Sequence, residues 1–109
     1  MKDSVRKKVV RKMVEALKDH YHPDRVILFG SVATGSPRTD SDIDLLIIKK
    51  TKKSFFQRLA EVRQVVSEQR RGYPFDPIVL TPLELQKRLA KGDQFFRNVL
   101  LEGQVLYEQ

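Results

Sequence analysis

The chain has no cysteine, only five glycines and five prolines, and aromatic residues at 8% of its 109 positions. Without cysteine, no disulfide can staple the fold. The few glycines and prolines, with no low-complexity tract and no repeat of solenoid period, read as one folded domain over residues 1–109. No apolar run approaches the roughly 18 residues that a membrane span requires. The opening MKDSVRKKVVRKM is charged, with no apolar stretch behind it, so no signal peptide is read there. A soluble cytoplasmic protein with no membrane partner is the expectation.

Charge is plentiful and lopsided: 21 Lys and Arg against 14 Asp and Glu, a net +7. Such a balance favours polyanions, whether nucleotides, nucleic acid or an acidic protein surface. The basic residues come in short clusters such as Lys7-Lys8, Lys49-Lys50 and Arg70-Arg71, mostly where a helix shows its wet face. A solvated face is the better reading of each. His20 and His22 lack a third ligand nearby and read as boundary residues, not a metal site.

Val5, Val9, Met13 and Leu17 recur every four residues, which predicts an amphipathic helix over residues 3–20, ended by Pro23. RVILF (residues 25–29) is a short buried strand, and residues 42–48 (DIDLLII) are a second. Ser54 and Gln57 form a capping-box pattern for a helix carrying Phe55, Leu59, Val62 and Val66 and stopping near Arg71-Gly72. Residues 75–80 (FDPIVL) are a third strand, and Pro77 argues for an edge position or for a strand that starts late. Thr81-Pro82-Leu83-Glu84 starts another helix. A last helix carries Phe95, Phe96, Val99 and Leu100, and Gly103 separates it from a short strand, QVLY. The link between the first two strands is too short for a crossover helix, so they pair antiparallel in a mixed sheet. The predicted architecture is a two-layer α/β (α+β) domain, a mixed β-sheet packed on helices.

That pairing brings two motifs to one end of the sheet. Gly30 permits a sharp turn and close approach of an anion to the main chain. Ser31 offers a hydroxyl and an N–H where a short helix is expected to begin, a natural phosphate cradle. Ten residues later, Asp42 and Asp44 lie two apart on a strand and point the same way, with Cα atoms ~6.5 Å apart. Two such carboxylates repel unless a cation sits between them, and Mg²⁺, which takes carboxylate and phosphate oxygens, suits the position. Asp76, the one acid in the third strand, converges on them if that strand lies beside the second. As an isolated residue it reads equally well as a turn residue ahead of Pro77.

Gly30-Ser31, then Asp42-Ile43-Asp44, and later Asp76 on a strand, resemble the nucleotidyltransferase superfamily that includes DNA polymerase beta. More narrowly, ILFGSVATGSPRTDSDIDLLII is similar to the minimal nucleotidyltransferases (MNT) of bacteria and archaea, and the likeness extends to YHPDRVILFGS and LLEGQVLYE. The resemblance implies the nucleotidyltransferase fold over almost the whole chain. It also implies roles: Gly30 and Ser31 hold the triphosphate, with Ser41 on the nucleotide, where Arg38 is the candidate to replace the family's usual arginine. Asp42, Asp44 and Asp76 bind Mg²⁺, two ions in number, and Asp76 also helps to activate the acceptor hydroxyl. The implied reaction is magnesium-dependent transfer of AMP from ATP, with pyrophosphate leaving. The implied acceptor is a tyrosine of a partner HEPN-domain toxin, which makes the chain the antitoxin of a toxin–antitoxin system. One departure from the family pattern is Thr34, where an arginine is usual; Arg38 lies in the same loop.

Two other classes compete with this enzyme. A binding module that silences a partner by occlusion keeps the fold without the chemistry, but such a module has no physical reason to keep three mutually repelling acids. A basic nucleic-acid binder fits the charge, yet Phe55, Phe56, Phe95 and Phe96 sit at helical core spacing instead of alternating with basic residues on a strand. A chain of this size leaves little room for an acceptor-binding domain, so a partner chain or self-association is expected to complete the site. Phe95 or Phe96 is a candidate docking residue, although core packing of both is the simpler reading.

Overall fold

A computed structural model describes residues 2–30 and 42–109. In chain order the elements are α1 (Lys2–His20), β1 (Arg25–Phe29), β2 (Ile43–Ile48), α2 (Phe55–Val65), β3 (Phe75–Leu80), α3 (Pro82–Ala90), α4 (Gln94–Glu102) and β4 (Gln104–Glu108). Among the described residues, no helix is long and apolar enough to cross a membrane.

The strands form one mixed sheet in the order β3-β2-β1-β4. β1 pairs antiparallel with β2 and with β4, as a short link and a tight α4–β4 junction dictate. β3 pairs parallel with β2, because the intervening chain is long enough to carry α2 back across the sheet. β3 thus lies at the sheet edge, the place where Pro77 is tolerated. At the α4–β4 junction Gly103 lies so close to β1 that a Cβ there would run into Ile27 and the Leu28 carbonyl.

Strand residues alternate between two apolar clusters. Val26, Leu28, Ile43, Leu45, Ile47, Phe75 and Val79 face α1 and α2, burying Val9, Met13, Leu17, Val62 and Val66. Ile27, Leu46, Ile48 and Leu80 face the other way, onto Leu85 of α3 and Phe96 and Val99 of α4. The mixed sheet packed on helices is as expected, but the sheet carries helices on both faces, a third layer beyond the two predicted. The reason is in β2, where every residue except Asp44 is fully buried.

Two details depart from the sequence reading. α2 ends at Val65, and the chain continues through turns to Arg71 and Gly72, both at positive φ. The four helical phenylalanines do not share a core role: Phe96 is 7% exposed, whereas Phe55, Phe56 and Phe95 are 46%, 80% and 49% exposed.

A buried cation ties the two faces together. Arg58 on α2, 7% exposed, donates to Val79 O of β3 and to both carboxylate oxygens of Glu84, at 2.6 and 3.3 Å. Glu84 closes the α3 capping box with Thr81, as Gln57 does with Ser54 on α2. The Arg58 hydrogen bonds hold the Glu84 carboxyl below its ordinary value. Removing one partner of such a pair strands the other. Glu84→Ala is therefore expected to cost about 2–3 kcal/mol in urea unfolding, because Arg58 loses its carboxylate and α3 its cap. A loss below about 0.5 kcal/mol, the surface-substitution range, would show that this pair does not hold the two faces together.

Candidate active site

The three acids meet at the end of the sheet where β1 finishes and β2 and β3 begin. The register sets Phe29 opposite Asp44 and Asp44 opposite Asp76, so one row runs from β1 through β2 to β3. By alternation, Asp44 and Asp76 share the face of Leu46 and Leu80, which α3 and α4 cover farther along. Asp42 precedes β2 by one residue instead of lying within it. Even so, one carboxylate oxygen from each of Asp42, Asp44 and Asp76 lies within 4.8 Å of the others. Asp42 and Asp76 are exposed, and Asp44 is partly buried.

Gly30 closes the row from the β1 side. Its φ is +78°, and any Cβ there would collide with the Asp44 carboxylate. The glycine is thus required twice, by its backbone conformation and by the approach of Asp44. Sequence reasoning selected Gly30 for a turn and for anion approach but missed this contact, which only the pairing register creates. Ser31, Arg38 and Ser41, the other residues expected at the nucleotide, lie outside the described residues, as do Thr34 and the short helix expected after Ser31.

Electrostatics at the cluster are strained. Burial, then the neighbouring charges of Asp76 and Asp42, push the Asp44 carboxyl up to about 6. Among the described residues, no ion pair neutralises any of the three acids. Three convergent carboxylate oxygens, unpaired among the described residues, suit a hard divalent cation such as Mg²⁺. A further feature is aromatic. Phe29, beside Gly30, carries the half-exposed ring of Phe95 edge-on, with centroids 5.7 Å apart and planes at 88°. In the sequence Phe29 stands beside Gly30 and Phe95 is a candidate docking residue, but nothing local links the two rings.

The raised Asp44 value has a defined consequence for the metal-free protein. A carboxyl whose folded value, about 6, exceeds its unfolded ~3.9 favours folding below the lower value. That contribution is lost as pH rises through the higher one. In chelator, the native protein is expected to lose thermal stability between pH 4 and pH 7, and Asp44→Asn to melt higher than native at pH 7, with the gap closing near pH 4. Saturating Mg²⁺ should raise the native melting temperature at pH 7 and leave Asp44→Asn little changed. Equal melting of both proteins across this range in chelator would contradict the proposed repulsion.

Residues 11–109 match the family described as Polymerase beta, Nucleotidyltransferase. A protein of Methanocaldococcus jannaschii named "Putative protein adenylyltransferase" is 33% identical over 102 residues, spanning 92% of this chain and 96% of that protein. In fold, the chain is similar to the crystal structure of a "putative nucleotidyltransferase" from Sulfolobus solfataricus. The TM-score is 0.62 at 22% identity, over 99% of this chain and 85% of that one. A match over most of the chain, from α1 through β4, shows that this protein belongs to the polymerase beta nucleotidyltransferase family.

Proposed function

We propose that this nucleotidyltransferase moves AMP from ATP to a hydroxyl of a partner protein, using Mg²⁺ held by Asp42, Asp44 and Asp76. The observation that carries the reading is the convergence of three carboxylate oxygens within 4.8 Å, with Gly30 packed against Asp44. The name of the archaeal relative supports a protein as acceptor and adenylyl as the group moved.

In this reading Gly30 and Ser31 bind the triphosphate, with Arg38 and Ser41 on the nucleotide side. Asp76, on the edge strand and exposed, takes the proton of the attacking hydroxyl. The acceptor oxygen bonds to the α-phosphorus as the bond to the β-phosphate oxygen breaks, and pyrophosphate leaves. Magnesium held there, two ions in number, would supply charge neutralisation at the phosphates. The acids on and just before β2 and on β3, with Gly30 at the end of β1, supply alignment, which contributes more than chemistry in such transfers. The acceptor suggested by the family resemblance is a tyrosine of a HEPN-domain toxin, and its modification would make this chain an antitoxin.

The test is transfer of label from [α-³²P]ATP to a co-expressed HEPN-domain protein, with Mg²⁺ present. Labelling of the partner is expected, and Asp44→Asn should lower its rate by about 10³-fold or more. Undiminished labelling by Asp44→Asn, or none by the native protein in the presence of Mg²⁺ and partner, would reject the reading.

A further inference from the structure

We infer that Phe95, backed by Phe29, is the platform on which the base of the bound nucleotide stacks. The inference rests on the transferase reading above and adds the subsite that the carboxylates and Gly30 leave undefined. α4 buries Phe96 and Val99, at 7% and 5% exposure, yet leaves the neighbouring Phe95 ring 49% exposed. That ring is not loose. It meets Phe29 edge-on at 5.7 Å and Phe96 edge-on at 5.0 Å, so two contacts fix its plane while half of it stays open.

Its place in the row is what points to a base. Phe29 is the cross-strand partner of Asp44 and immediately precedes Gly30. Asp76 lies on the opposite side of Asp44, on β3. If Asp76 serves the acceptor and Gly30 the phosphates, the aromatic pair lies on the nucleotide side, next to the phosphate cradle. A base sits one ribose from its phosphates, so a nucleotide anchored at Gly30 has its planar ring near Phe29. A rigid, half-open aromatic ring suits such a partner, since every base has a π-face to offer.

Calorimetry on the full chain with Mg²⁺ tests this, using ATP and inorganic tripolyphosphate in parallel. Base stacking is worth enough that Phe95→Ala should weaken ATP roughly tenfold or more, while tripolyphosphate changes by less than about twofold. Phe95→Tyr should restore ATP binding. The chain has no tryptophan, so Phe95→Trp adds a unique reporter whose fluorescence ATP should quench and tripolyphosphate should not. Equal weakening of both ligands would mean that Phe95 merely supports the fold of the site, and the inference falls. Unchanged ATP binding with impaired transfer would assign the ring to the acceptor instead, and the inference falls then too. A native protein that binds neither ligand would overturn the transferase reading itself, and this platform with it.

Discussion

The convergence of three carboxylates at one point, one of them partly buried, is the constraint around which this small fold is arranged. Asp44 is partly buried with Asp76 opposite it and Asp42 two residues before it, and its carboxyl is pushed up to about 6 as a result. A protein selected only for stability would place an apolar or paired residue there, since uncompensated charge at a partly buried position is costly. Keeping the acids requires a sheet stiff enough to hold them together. β2 supplies this: it is central, bonded on both sides, and otherwise buried on both faces.

The remaining structure follows from holding that strand. Antiparallel β1 delivers Gly30 against Asp44, and parallel β3 delivers Asp76 beside it, so only a mixed sheet brings all three strand ends to one place. α1 and α2 seal one face, while α3 and α4 cover the opposite one beyond the acids. Arg58 and Glu84 fasten α2, β3 and α3 to one another, which fixes the edge strand that carries Asp76. A proline in that strand is compatible with this because its outer edge needs no further partner.

Much of this was legible in the sequence, and the residues show why. Ser54 with Gln57 and Thr81 with Glu84 announced helix starts because a capping box is satisfied within four residues. The DIDLLII run announced a buried strand, and the short link before it fixed the antiparallel pairing. What escaped was whatever depended on distant partners. Nothing local in the sequence marks Arg58 for burial, because its carboxylate partner is 26 positions away. Phe95 and Phe96 look alike in sequence, yet helix geometry turns only one into the core. The apolar residues on both faces of β2 signalled a second helical layer that counting elements alone did not reveal.

The central claim is that Asp42, Asp44 and Asp76 together hold a divalent cation against a nucleotide triphosphate. The most direct measurement is a crystal structure with Mn²⁺ and a non-hydrolysable ATP analogue, with the metal located by its anomalous signal. The account predicts an anomalous peak at ordinary coordination distance, about 2.0–2.2 Å, from an oxygen of each of the three acids, with a phosphate oxygen completing the shell. An analogue bound elsewhere, or a metal that ignores these carboxylates while the nucleotide is in place, would contradict it.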